Sequence, residues 1–235
     1  MSWFRWNDID SDSMGVVVEA LPPIARAPRR YDKIEIDGMD GAYVDELGYA
    51  VYEKVISVGF QKMADLNSIF GWLTGQGKLV TSDEPDKYYI CNIYDVIEFT
   101  KSGNIYKADI KMIAQPFKYD INEGEVECSS GDEVNIGCGT RGALYSFSFV
   151  STGGNINVSG NGADGERKVF TLSTEETGTE ITIDAENNKI FTQTGSSLLN
   201  KANGELPDFK KYQTETLSVS GAFTNGIIKF RRRWL

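Results

Sequence analysis

The sequence predicts a mainly β protein of two β-sandwich-type domains. The first carries one short α-helix and an extended arm or hairpin, and the second is an antiparallel sandwich. Three observations lead there. The chain has 235 residues with 24 Gly and only 6 Pro, and its Thr, Val, Ile, Tyr and Phe favour strands joined by tight turns. Apolar residues alternate with period two along most segments and take helical spacing only once. After Tyr119 the pattern changes to many short strands with Gly/Asn turns, which sets the expected domains at 1–119 and 120–235. Domains run to about 100–200 residues, so two modest ones fit this length.

The first domain opens on a polar turn, Asp8 to Ser13, followed by a strand-like run from Met14 to Leu21. Pro22-Pro23 ends that run, because proline cannot donate to a ladder. Arg26 to Arg30 reads as a basic loop. Lys33 to Asp37 alternates as a half-buried strand, and the Gly-rich stretch 37–41 is a turn. From Glu35 to Lys54 we expect an extended arm, since Gly38, Gly41, Gly48 and the acidic Asp37, Asp40, Asp45 and Glu46 leave little to bury. Tyr52 to Phe60 alternates again.

Ala64 to Leu73 puts Leu66, Ile69, Phe70 and Leu73 on one helical stripe, ended by Gly75 and Gly77. Leu79 to Thr81 returns to strand, and Ser82 to Asp86 is a loop. Two strands follow, Tyr88 to Phe99 and Tyr106 to Ala114, joined by a hairpin at Lys101 to Asn104 and ended by Pro116.

In the second domain the expected strands are 145–149, 156–158, 169–172, 181–183, 189–191, 217–219 and 228–230. Turns are expected at Gly153-Gly154-Asn155, Gly160 to Gly162, Glu186 to Asn188 and Asn225-Gly226. Short alternating strands at this spacing point to a sandwich. Near the C-terminus, strand alternation with Ile228, Phe230 and Trp234 inward also turns Arg232 inward, where it needs a partner.

Charge and chemistry narrow the function. Net charge is −10, about −5 in each half, which disfavours binding nucleic acid through the overall field. There is no His, so the commonest general base and metal ligand are missing. Cys91, Cys128 and Cys138 form no Cys-x-x-Cys pair and read as small hydrophobes in a reducing compartment. No apolar run is long enough to span a bilayer, and the N-terminus lacks the apolar segment of a secretory signal.

Several motifs match in letters only. Gly137 to Gly142 and Gly160 to Gly165 fit G-x-G-x-x-G, but both run into strands, whereas a phosphate loop must open a helix. Asp8, Asp10, Asp12 and Glu19 have calcium-loop spacing, but Ser13 stands where the sharp turn needs Gly. Acidic pairs are plentiful and leave no local signature of catalysis. There is no G-x-S-x-G elbow and no S-x-x-K. We therefore expect no enzyme activity, no catalytic residue, no metal and no cofactor. Arg26, Arg29 and Arg30, and Arg231 to Arg233, are solvated loops or interface anchors.

An ordered set of segments in the first half resembles a known family. These are 12–19, Leu21 to Ile24, Arg29-Arg30-Tyr31, Ile34 to Gly38 with Asp40-Gly41, Ile69 to Gly75, Ser82 to Tyr89, and Gln115 to Tyr119. Together they resemble the siphophage distal tail proteins, the baseplate hub family called Dit. Ile181 to Asp184, Leu206 to Phe209 and Arg233 to Leu235 are similar to the galectin-like sandwich those proteins carry.

The resemblance implies a virion structural protein at the tail tip of a long-tailed phage or prophage, synthesised in the bacterial host cytoplasm. It implies a homo-hexameric ring whose N-terminal halves line a channel that DNA crosses without specific binding. The implied partners are the tail tube protein, a tail-associated tip protein and receptor-binding or adsorption proteins. Candidate subunit-interface residues are Arg29, Arg30, Gly38, Asp40, Gly41, Tyr43 and Tyr49. The alternative is a carbohydrate-binding adhesin module that recognises the host cell wall. The second half departs from sugar-binding galectins, because it has no His and its sole Trp is Trp234. Tyr145 and Tyr212 are its only tyrosines.

Overall fold

A computed structural model describes residues 2–38, 40–61, 66–122, 124–136, 144–161, 167–185, 187–204 and 216–235. The chain divides into two compact units, one built on Met1–Ile121 and the other on Asn122–Trp234. The elements are β1 (Phe4–Trp6), β2 (Ile9–Asp10), β3 (Val16–Ala20), β4 (Arg29–Ile34), β5 (Tyr43–Tyr49), β6 (Tyr52–Gln61), α1 (Leu66–Trp72), β7 (Gly75–Thr81), β8 (Glu84–Ile93), β9 (Thr100–Ser102), β10 (Ile105–Asp120), β11 (Gly124–Cys128), β12 (Glu133–Asn135), β13 (Leu144–Asn161), β14 (Arg167–Asp184), β15 (Lys189–Thr192), β16 (Ala202–Gly204), β17 (Thr216–Phe230) and β18 (Arg233–Trp234).

The first unit is one antiparallel sheet in the order β2-β1-β7-β8-β10-β6-β3, with β9 also on β10. Its two edge strands, β2 and β3, are joined by a single 3-10 turn at Ser11–Met14. A sheet whose edges are that close in the chain must curl, and it curls around one core. Alternation selects the inward residues: Ile56, Val58 and Phe60 on β6, and Ala108, Ile110, Met112 and Ala114 on β10. The helix closes this core with Ile69, Trp72 and Leu73. Trp72 stacks on Phe4, with ring centres 5.4 Å apart, and its indole N–H donates to the Trp6 carbonyl at 3.0 Å.

Several first-unit expectations need correction. Glu84 to Asp86 belong to β8, because β7 and β8 meet in a two-residue turn at Ser82-Asp83. The strand expected over Tyr88 to Phe99 stops at Ile93. Pro116 does not end β10. It sits where the register with β8 shifts between Ala114 and Lys118, and a bulge is where a sheet tolerates a residue without an N–H. On the helix, Phe70 is exposed rather than inward, its ring edge against Phe99.

The second unit is built on three long strands, β14-β13-β17, with shorter ones at the flanks. The first part of β17 pairs with β12 and its last part with β11. Likewise β14 pairs first with β16 and later with β15. Between these parts the ladders slip: β13 against β17 between Ser151 and Ile156, and β13 against β14 between Val150 and Gly154. The long strands bend there, so each contributes to both layers. Ile156, Val158, Phe170 and Leu172 from one part share a single core with Phe147, Phe149, Ile181 and Ile183 from the other.

The expected turns at Gly153-Gly154-Asn155 and Asn225-Gly226 therefore lie inside continuous strands. Gly221 shows why glycine is used at the bend. Its φ is +124°, and a Cβ there would lie 2.0 Å from the Asn155 carbonyl oxygen. At the C-terminus the alternation predicted the wrong arginine. Arg232 is exposed, with its guanidinium 5.8 Å from the Phe230 ring centre, and Arg233 is the buried one.

Candidate subunit interface

Among the described residues, β4 and β5 pair only with each other. Their register runs from Arg29 opposite Tyr49 to Ile34 opposite Tyr43, with Leu47 bulged where it shifts between Arg30 and Tyr31. Every residue of β4 is exposed. The half-buried strand expected at Lys33 to Asp37 is thus a solvent-exposed one starting at Arg29. The expected arm is present but displaced in sequence. It spans Arg29–Tyr49 with its tip at 35–42, while Tyr52 to Lys54 already belong to β6.

A two-stranded hairpin is marginal by itself in water, so its root must hold it. The Ala50 N–H donates to the Pro28 carbonyl at 2.8 Å. Tyr49 sets its ring edge-on to Phe117, with centres 5.7 Å apart. The Arg29 guanidinium lies over the Tyr49 ring, 5.5 Å from its centre, and pairs with Glu46. One step further in, the Lys54 ammonium donates to the Pro23 carbonyl at 3.4 Å and lies over Tyr89 and Tyr52.

That root is a polar pocket within the core. Burial lowers the Lys54 pKa and pushes the Tyr52 phenol up to about 12 and the Cys91 thiol up to about 12. Burial also works to raise Glu84, but hydrogen bonds from Lys118 and Tyr89 and the nearby ammonium outweigh it and hold its carboxyl below the usual range. Cys91 is therefore a protonated core residue, not a nucleophile.

The interface candidates fall on two places of one element. Arg29, Arg30 and Tyr49 stand at the hairpin root, whereas Gly38, Asp40, Gly41 and Tyr43 are at or next to its tip. Gly38 and Gly41 have φ of +85° and +91°, as the reversal of the chain requires. Tyr43 is 68% exposed. Sequence reasoning missed the apolar members, Tyr31, Ile34, Ile36, Val44 and Leu47, all exposed. Of these, only Ile34 and Ile36 lie in the segment whose alternation predicts a half-buried strand.

The other motifs gather no site. Asp10 is held by Arg5 at 2.7 Å and Glu19 by Lys107 at 2.7 Å. Among the described residues no group of three or more Cys, Asp or Glu could hold a metal. Gly137 to Gly142, Cys138, Leu206 to Phe209 and Tyr212 lie outside the described residues, as do Gly162 to Gly165 of the second glycine motif and the side chain of Tyr145.

No family model and no curated protein sequence matches the chain. Solved structures do. The Dit protein (gp 19.1) of SPP1, described as a paradigm of the hub adsorption apparatus in phages infecting Gram-positive bacteria, superposes at TM-score 0.78 with 14% identity, over 100% of both chains. Chains of the phage P2 baseplate in its activated conformation, with Ca and with Sr, superpose at TM-score 0.51 with 10% and 9% identity, over 99% of this chain and 98% of theirs. The likeness expected from the ordered segments is thus found at the level of the fold, across both units.

Proposed function

We propose that this chain is the distal tail hub protein of a long-tailed phage or prophage, a ring-forming architectural subunit at the tail tip. The carrying observation is the full-length likeness to the SPP1 Dit protein. The hairpin adds a physical reason for assembly. It leaves Tyr31, Ile34, Ile36, Tyr43, Val44 and Leu47 exposed on two strands with no third, and such a surface is covered in a working protein. All the large apolar side chains exposed among the described residues, except Val169 and Leu199, belong to the first unit. The first unit is accordingly the ring-forming domain, and Arg29, Arg30, Gly38, Asp40, Gly41, Tyr43 and Tyr49 take part in its contacts. In the virion the ring, six-fold on this reading, joins the tail tube to a tip protein and to adsorption proteins.

The test is mass by light scattering over a concentration series, with the wild type and a hairpin-deleted variant. Arg30 and Gly48 face each other across the hairpin, so residues 31–47 can be replaced by a short Gly-Ser turn. The wild type should form a closed oligomer, and the deleted variant should be a folded monomer. A deleted variant that still forms the ring would remove the hairpin from the interface. A wild type monomeric at all concentrations, and also when mixed with tail tube protein, would overturn the hub reading.

A further inference from the structure

The most exposed large apolar side chains among the described residues lie on a second surface that the hairpin does not include. Residues 94–99 are in neither helix nor strand. On them Val96 is 82% exposed and Tyr94 76%. Between and beside these stand Asp95 and Glu98, both exposed. They line a cleft of about 640 Å³ that also holds Glu19, Asp109, Lys107 and Lys111. Lys107 is already paired with Glu19 at 2.7 Å, and Asp109 accepts from the Ser57 hydroxyl at 2.6 Å. With four carboxylates and two ammonium groups the lining is net negative. No ion pair joins Asp95 or Glu98 to a described cation.

An opposite surface occurs at the hairpin root. Ile24 is 61% exposed, and Arg26 and Arg30 beyond it are exposed as well. Arg29 spends its charge on Glu46. Arg26 and Arg30 pair with no described carboxylate. Ala27 is buried and Ala50 bonds Pro28, so the segment is held with its arginines outward. One surface is thus apolar and anionic, the other apolar and cationic, and the two do not satisfy each other within one chain.

Resting on the ring reading above, we propose that the 94–98 loop and its cleft receive residues 24–30 of a second copy. Asp95 and Glu98 then pair with Arg26 and Arg30 of that copy, while Tyr94 and Val96 cover its Ile24. Different patches meet in this contact, so it is head-to-tail, the kind that generates rings. Arginine forks suit such carboxylates, and opposed charges fix register and exclude wrong partners.

Charge reversal tests it. One variant carries Asp95→Lys and Glu98→Lys, the other Arg26→Glu and Arg30→Glu. All four positions are exposed, so both should melt like the wild type, and the neutral pair Asp95→Asn with Glu98→Gln guards against misfolding. Alone, each reversed variant meets like charge at every contact, and its association should weaken by about tenfold or more. Mixed in equal amounts, every contact can again be opposite in sign if the two alternate, and assembly should return. Reversed variants that assemble like the wild type, or a mixture that stays dissociated, would overturn this pairing while leaving the ring intact. A wild type that never assembles would instead overturn the ring reading on which it rests.

Discussion

The Lys54 ammonium lies 4.1 Å from the centre of the Tyr89 ring, on a residue only 3% exposed. Glu84, the carboxylate whose charge acts on it, is committed to Lys118 and Tyr89. Lys54 is thus held by an aromatic face and the Pro23 carbonyl rather than by a carboxylate, at the point where the chain leaves for the hairpin and returns from it. The cost of burying that charge offsets much of what the contacts contribute. Lys54→Met should therefore keep urea stability within about 1 kcal/mol of wild type, whereas Lys54→Ala should lose about 2–4 kcal/mol by leaving a cavity. Both variants release Pro23, so proteolytic cutting within residues 21–28 should speed up in each. Unchanged cutting in the Met variant would mean Lys54 does not anchor the root.

Glu84 supplies a pH dependence with a definite sign. Its carboxyl is lowered in the folded protein from 4.5. The stabilisation is therefore fully present above about pH 4.5 and is lost as pH falls through the folded value. Glu84→Gln leaves Lys118, 13% exposed, without its carboxylate, at a cost of about 1–3 kcal/mol near neutrality. Denaturant melts of both proteins should show that difference held constant down to about pH 5, and shrinking below 4.5. A difference that persists unchanged at pH 2 would assign it to packing.

Gly221 tests the bend of the second unit. A methyl group there meets the Asn155 carbonyl at 2.0 Å, on a backbone that L residues rarely adopt. Both atoms belong to paired strands, so neither can withdraw cheaply. Gly221→Ala should destabilise the second unit by about 2–4 kcal/mol. Calorimetry of the whole chain should place the loss in one transition. A wild-type melt would show that β13 and β17 can part there.

Period-two alternation located most of the strands, because it reports which face of a ladder is turned away from water. It could not tell a core from an interface. Ile34 and Ile36 alternate just as Ile56 and Val58 do, yet only the second pair is buried in its own chain. Proline and glycine misled for a related reason. Pro116 reads as a strand end and Gly153-Gly154 as a turn, but each marks a register slip within a continuing strand, and pairing with distant residues decides between the two. Arg232 and Arg233 exchanged roles because β17 ends at Phe230 and its alternation ends with it. Arg29 and Arg30 are legible as interface anchors from their charge, the other interface candidates only through the ordered resemblance, and the 94–98 loop carries no signal because the sequence predicts strand there.

On the proposed ring, DNA crosses the lumen during ejection, so the lining must not grip phosphates. Every Lys or Arg that neutralised a phosphate would release counterions and hold the duplex in a salt-dependent way. The first unit supplies a suitable balance, since residues 1–119 carry about −5 of the net −10, and ring closure multiplies that charge. Arg26 and Arg30, which pair with no described carboxylate, are committed by the proposed contact to a neighbour's carboxylates. Channel-facing positions should then be Asp, Glu, Ser, Thr or Asn more often than Lys or Arg. The assembled protein should leave linear double-stranded DNA unretarded in a gel even at low salt, where attraction is least screened. Reversing Asp95 and Glu98 to lysine should free the arginines, and only that variant should begin to retard DNA. Retardation by the wild type that fades as salt is raised would place uncompensated basic residues on the lumen or another open face.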